Sequence, residues 1–234
     1  MQNGLGRAAD LVFRSIEARI QSGALSEGQA LPSERDLMEE FGASRTVVRE
    51  AIRSLSDRGL VESRPRHRPV VRKPGFDTAF DTVSSVVTHL LGQSGGVKNL
   101  FDTRIMIEAA LVREAAQSAT KDDIAAMQAA LDANGEATEN SALFYETDMA
   151  FHAVLYDVPR NPVLPAIHKA YTAWLSPHWM QMDNPPHRHH ANYLAHKAIF
   201  DTILLRDPDA AEAALRDHLR SAWTQVSRTF EDTE

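Results

Sequence analysis

Leu31-Pro32-Ser33-Glu34-Arg35-Asp36-Leu37-Met38-Glu39-Glu40-Phe41-Gly42-Ala43-Ser44-Arg45-Thr46-Val47-Val48-Arg49-Glu50-Ala51 is the stretch of this 234-residue chain whose reading decides its fold. Ser33 stands before an apolar-periodic run and Asp36 follows three residues later, an N-cap with an acidic first-turn residue, close to a capping box. Leu37, Met38 and Phe41 share one face, and Gly42 supplies the permissive backbone that ends the helix. Ser44 is a second N-cap. The helix it opens places Val48, Ala51, Ile52 and Leu55 at i, i+3, i+4 and i+7, a buried stripe. Arg45, Arg49 and Arg53 recur every fourth residue on another, exposed stripe. Two short helices joined by a tight turn, with arginines along the second, are the layout of a helix-turn-helix that reads DNA.

Working outward, Gly59 closes the second helix. Leu60–Arg64 and Pro69–Arg72 read as short strands around Pro65-Arg66-His67-Arg68. That basic hairpin is a wing, and it puts Arg66, His67 and Arg68 within reach of backbone or minor groove. Arginines at i, i+4 and i+8 are by themselves most often a solvated helix face. Here they coincide with two caps, a glycine turn and a basic hairpin, and the whole segment points to nucleic acid. Charge placement agrees. The chain is −7 overall, yet Arg45 to Lys73 holds nine basic residues against three acids, so that stretch is +6 and the remainder −13. A local basic patch on an acidic protein suits site-directed DNA binding, with the acidic remainder kept off the phosphates.

There are no cysteines, which excludes disulfides and thiolate metal sites. No apolar run approaches a membrane span and no signal-peptide block opens the chain, so a soluble cytoplasmic protein without membrane partners is expected. Ala8, Leu11, Val12, Ser15, Ile16 and Arg19 predict a first helix over 7–22. Lys73-Pro74-Gly75 is a breaker cluster and sets the expected boundary between a winged helix-turn-helix domain at 1–73 and a second domain at 74–234. Strand signals vanish beyond it. Helices are predicted over 78–91, 100–119, 122–133, 142–157, 163–175, 187–206 and 208–230, with a polar, proline-bearing loop at 176–186. The fold class is therefore mainly α, an N-terminal winged helix-turn-helix plus a C-terminal antiparallel all-helical bundle.

Within that bundle, polar residues stand on faces that should be core. Asp148 and His152 are four apart among Phe144, Tyr145, Phe151 and Leu155. His196 shares its stripe with Tyr193, Ile199, Phe200 and Ile203, and His218 shares one with Ala211, Ala214, Leu215 and Ala222. A lone core histidine is usually just hydrogen-bonded, and Asp148 with His152 reads equally as an ion pair. Four such groups pointing inward from three helices are costly to bury unpaired, and a metal ion relieves that cost. His187-Arg188-His189-His190 is too dense for one closed site and abuts Pro185-Pro186; it reads as a loop and helix entrance.

Residues of about 7–73 resemble the winged helix-turn-helix of the GntR superfamily of bacterial regulators. The carrying residues are Leu31–Leu37, Phe41–Ala51, Leu55 and Gly59-Leu60-Val61. The wing tip departs from the pattern, with Arg66-His67-Arg68-Pro69 where the family usually has glycine. Residues of about 76–230 resemble the all-helical effector domain, of FCD type, of the FadR branch. Asp102–Glu108, Asp148–His152, Asn161–Leu164, His196–Ile203, Asp207–Ala211 and Asp217-His218-Leu219 carry that likeness. It shows Asp102 where the family commonly has Glu before the Arg. The resemblance implies operator contacts by Arg35, Arg45, Thr46 and Arg49, to which the capping Ser44 is added. It also implies metal ligands at Asp148, His152, His196 and His218.

One carboxylate and three imidazoles suit a divalent transition metal, Zn²⁺ first, with Ni²⁺ and Fe²⁺ as alternatives. Positions left open on the ion would take water or an effector carboxylate. Arg104 reads either as a second clamp on that carboxylate or as a structural partner of Glu108 or Asp148. The expected protein is a ligand-responsive regulator and not an enzyme. It acts as a repressor and a homodimer on a pseudo-palindromic double-stranded operator, released by a small carboxylate. By likeness to regulators of galactonate-type catabolism, that carboxylate would be a sugar acid or another organic acid. The alternatives are a metal-dependent hydrolase or lyase, and a regulator whose signal is the metal itself.

Overall fold

The computed structural model describes residues 2–64, 67–72, 75–179 and 186–231. The chain forms two compact units, Met1–Val83 and Ser84–Glu234. The first contains α1 (Gln2–Gln21), α2 (Glu34–Phe41), α3 (Arg45–Asp57), β1 (Val61–Glu62) and β2 (Val70–Val71). Its helix ends are set by the caps seen in the sequence. Ser33 Oγ accepts from the Asp36 N–H at 3.2 Å while the Asp36 carboxylate accepts from the Ser33 N–H at 3.1 Å. Gly42 takes a left-handed φ of +58° and donates its N–H to the Met38 carbonyl, which a residue with a Cβ would do under strain. Ser44 Oγ accepts from the Val47 N–H at 3.4 Å. α1 lies against α3, and Val12, Ile16, Leu31, Leu37, Val48 and Leu55 are buried together.

The hairpin is antiparallel, with Val61 opposite Val71 and Glu62 opposite Val70, shorter than the strands the sequence predicts. A third piece joins it unannounced. Ala30 bridges Val70, and the Val71 N–H donates to the Gln29 carbonyl at 2.8 Å. One bridge has no period-2 signal, so nothing in the sequence marks it.

α4 (Phe76–Leu91) spans the join between the units. The remaining helices are α5 (Gly96–Ser118), α6 (Lys121–Glu136), α7 (Ser141–Asp157), α8 (Val163–Trp179), α9 (Pro186–Leu204) and α10 (Pro208–Glu231). The units part inside α4, beyond the Lys73-Pro74-Gly75 breaker. Thr78 stays with the first unit, its side chain packed on Gly59, where φ is +68°. Lys73 and Pro74 lie outside the described residues.

In the second unit α5 packs on α7, α9 and α10, and α6 packs on α7 and α9. Phe101, Val112, Met127, Phe151, Leu155, Ile199 and Leu215 form its core. α8 does not stop at Leu175 as predicted; it runs through Pro177 to Trp179. Proline removes one ladder hydrogen bond there. The Tyr145 hydroxyl donates to the Trp179 carbonyl at 3.2 Å, serving one of the orphan acceptors at that helix end. Gly135 lets α6 approach α9: a Cβ there would sit 2.8 Å from the Tyr193 ring. Among the described residues no helix is long and apolar enough to cross a membrane.

Candidate metal centre and nucleic-acid interface

α7 presents Asp148 and His152 one turn apart, α9 presents His196 and α10 presents His218. One donor atom from each lies within 4.8 Å of all the others. His152 Nε2 is 3.3 Å and His196 Nε2 3.1 Å from His218 Nε2, and Asp148 Oδ1 is 3.4 Å from His196 Nε2. The three imidazoles are nearly sealed from solvent, while the Asp148 side chain keeps 19% of its exposure. Burial holds His196 and His218 well below the ordinary histidine value, so both rings are neutral and offer a lone pair. Burial also pushes the Asp148 carboxyl up from its ordinary value. A cation beside it would restore the carboxylate.

Outer hydrogen bonds decide where those lone pairs point. The Glu108 carboxylate accepts from His152 Nδ1 at 2.7 Å, and Asn134 Oδ1 accepts from His196 Nδ1 at 3.0 Å. The Asn134 amide orientation is fixed by its other end, because Nδ2 faces the Phe144 carbonyl, which can only accept, at 3.4 Å. With Nδ1 protonated, the neutral ring of His196 turns a bare Nε2 toward His218 and Asp148. His152 Nε2 faces the same His218 nitrogen. Three Nε2 atoms and a carboxylate oxygen thus converge on one buried point, an arrangement that suits a cation. The donor set fits a transition metal.

Arg104 and Glu108, one turn apart on α5, form an ion pair with Nε donating to Glu108 Oε1 at 2.6 Å. Burial opposes ionisation of Glu108, but Arg104 and His152 outweigh it and hold the carboxyl far below its usual range. The structural reading of Arg104 thus has its partner in Glu108. Arg104 also lines a cavity beside the cluster, and its Nη groups have no hydrogen bond among the described residues. The cavity opens over Asp148, His152 and His218, with Arg188, His189 and Asn192 around it and Phe101, Phe144 and Trp179 as apolar walls. Its space between atoms, the open mouth included, is about 550 Å³.

Sequence reasoning missed three members of this site. Asn134 ends the buried stripe Met127, Leu131, Asn134, and a polar residue closing an apolar stripe was the signal available. Glu108 was visible only as an i+4 partner of Arg104. His189, in the run read as a helix entrance, is buried, stacks on Phe144 with ring centroids 4.5 Å apart and bonds the Thr138 carbonyl through Nδ1 at 2.9 Å. Its separation of seven residues from His196 puts both on one face of α9.

The reader's residues are placed differently. Arg35, Ser44, Arg45, Thr46, Arg49 and His67 are all exposed. The Arg45 and Arg49 side chains, 69% and 70% exposed, flank Glu34 with Nε–carboxylate separations of 3.8 and 3.6 Å. The Ser44 hydroxyl is engaged as the α3 cap. Arg68 folds back, Nε donating to the Leu31 carbonyl at 2.9 Å, which ties the wing to the segment before α2. Arg66 lies outside the described residues.

Residues 8–71 match the family described as bacterial regulatory proteins, gntR family, and residues 99–221 match the FCD domain. The chain belongs to the GntR family. Over 217 residues it is 36% identical to the HTH-type transcriptional repressor NanR of Klebsiella aerogenes, spanning 92% of this chain and 84% of that protein. It is 37% identical over the same length to the NanR of Salmonella newport, with the same coverage. Among solved structures it is similar to Streptococcus agalactiae GntR, at 20% identity and a TM-score of 0.56 over 93% of this chain and 98% of that one. It is also similar to E. coli McbR/YncC, at 16% identity and 0.54 over 94% and 98%. These two likenesses concern the fold. A GntR-family protein of this kind is a regulator of transcription and not an enzyme, and the hydrolase or lyase reading of the donor set falls with that.

Proposed function

We propose that this GntR-family protein is a DNA-binding transcriptional repressor whose helical unit holds a divalent transition metal and, at that metal, a small carboxylate effector. The observation that carries the metal is the convergence of Asp148 and three imidazoles, of which His152 and His196 have their outer nitrogens already spent on other partners. Zn²⁺ is the ion put forward, with Ni²⁺ or Fe²⁺ as the alternatives. Arg104 supplies N–H donors to the cavity and would hold the far oxygen of a carboxylate whose near oxygen meets the ion. The repressor role is taken from the relatives' names.

On DNA, Arg35 from α2 and Arg45, Thr46 and Arg49 from α3 would meet the operator, with Ser44 orienting the start of α3 and Arg66, His67 and Arg68 in the wing. One such reader covers too few base pairs to be selective, so a cytoplasmic homodimer on a pseudo-palindrome is proposed. The effector must favour the DNA-incompetent state; a coupling of about 1–3 kcal/mol is usual.

The test is elemental analysis of the purified protein, then a thermal-shift screen of sugar acids and dicarboxylates with and without chelator. Bound metal, and a stabilising acid whose effect vanishes on chelation, support the proposal. A metal-free protein indifferent to chelator would sink it. A metal titration that switches operator affinity with no acid present would make the ion itself the signal.

A further inference from the structure

We propose that Glu108 and Asn134 are positioning residues of the metal centre. Each takes the Nδ1 hydrogen of one ligating imidazole and so dictates that His152 and His196 bind through Nε2. This rests on the metal reading above. Neither residue stands on a ligand-bearing helix: Glu108 is on α5 and Asn134 on α6, while the ligands are on α7, α9 and α10. Two further helices thereby set the angle of the donors.

The geometry at each is that of a dedicated acceptor. Glu108 and Asn134 are both fully buried. Glu108 offers one oxygen to His152 Nδ1 at 2.7 Å and the other to Arg104 Nε at 2.6 Å, with the Tyr156 hydroxyl donating at 3.3 Å. Asn134 offers Oδ1 to His196 Nδ1 at 3.0 Å and is prevented from flipping by its Nδ2 bonds to the Phe144 carbonyl and to Thr147 Oγ1 at 3.1 Å. Rotating either imidazole by half a turn would break these bonds and put Cε1–H where Nε2 now faces the other donors. Ligand rings supported in this way keep one tautomer and one orientation, and loss of such support typically weakens metal binding ~10–100-fold.

The two supports differ in kind. A carboxylate behind His152 raises the electron density that this ring gives the metal, whereas a neutral amide behind His196 orients without adding charge. Among the described residues no such acceptor stands behind His218, which stacks on His152 with ring centroids 5.4 Å apart. His152 and His196 are therefore the fixed donors and His218 the adaptable one.

The experiment uses the full chain and metal alone, titrating Zn²⁺ and recording the visible spectrum of the Co²⁺-loaded protein. Glu108→Gln and Asn134→Leu should weaken Zn²⁺ binding ~10–100-fold and shift the Co²⁺ bands, at unchanged helical content. Asn134→Asp, which restores an oxygen acceptor, should recover most of the affinity. Folded variants with wild-type affinity and an unaltered Co²⁺ spectrum would overturn the assignment. A measurement on the wild type keeps the test open should a variant fail to fold. In its ¹⁵N imidazole spectrum with Zn²⁺ bound, His152 and His196 should show protonated Nδ1 and metal-bound Nε2. Metal on Nδ1 of either ring would refute the proposal. A wild type that takes up no metal fails at the first titration, and that outcome belongs to the metal reading itself.

Discussion

The reader and the helical unit treat their functional side chains in opposite ways. In the reader, Arg45 and Arg49 stand about 70% exposed and share one loose acidic neighbour, Glu34. In the helical unit, His152, His196, Glu108 and Asn134 are buried and joined by bonds of 2.7–3.0 Å. On the function proposed above, the difference follows from what each would grip. DNA phosphates are long-range, hydrated targets, met by flexible cations whose contribution is graded and screened by salt. A small ion demands several donors at fixed angles, and these hold only where packing and hydrogen bonds remove every alternative. Substitutions should thus act by degrees in the first region and abruptly in the second.

The largest effect expected is from His196→Ala. It deletes a donor and strands Asn134 Oδ1, so metal content of the purified variant should fall to background while operator binding survives. Undiminished metal by elemental analysis would break the contrast at its strong end. Metal removal from the wild type is a gentler version of the same blow. A ligand at about 100 times its Kd stabilises by about 2.7 kcal/mol, and chelation should cost on that order in denaturant unfolding.

Acid separates the regions further. Burial pushes His168, beside Tyr156, down to about 4, against an ordinary histidine near 6.5. Above pH 6.5 neither folded nor unfolded chain carries that proton. Below it the unfolded chain takes up a proton the folded one refuses, so stability falls until about pH 4 and then levels. The full cost is about 3 kcal/mol. The burial-lowered His196 and His218 add loss of the same sign in metal-free protein. His168→Leu should flatten part of that slope, and an unchanged pH profile of metal-free unfolding would remove His168 from the account.

Arg49→Ala should weaken operator binding by about 1–3 kcal/mol if the side chain reads a base, or equally on all sequences with a salt slope reduced by about one if it holds phosphate. Fluorescence anisotropy on operator and scrambled DNA distinguishes these, and wild-type binding by the folded variant would remove Arg49 from the interface. The smallest change belongs to Glu34→Gln. Exposed pairs contribute less than about 1 kcal/mol, so releasing Arg45 and Arg49 should tighten DNA binding by no more than that. A severalfold loss instead would give Glu34 a contact of its own.

What the sequence alone determined is what is written in consecutive residues. Ser33 with Asp36, Gly42 and Ser44 fix two helix ends and a turn within a dozen positions, because capping and left-handed backbone are local chemistry. The 3.6-residue period likewise put Asp148, His152, His196 and His218 on inward faces, and the family resemblance named them. Tertiary structure alone decided what joins distant positions. The third piece of the wing sheet, the run of α8 through Pro177, the place of His189 beside the cavity, and the pairing of Glu108 with His152 and Asn134 with His196 were not legible. The last two partners are 44 and 62 residues apart, and no local periodicity encodes which buried acceptor an imidazole will meet. That choice is made when α5 and α6 pack against α7 and α9, and there the fold turns four inward-facing side chains into one site.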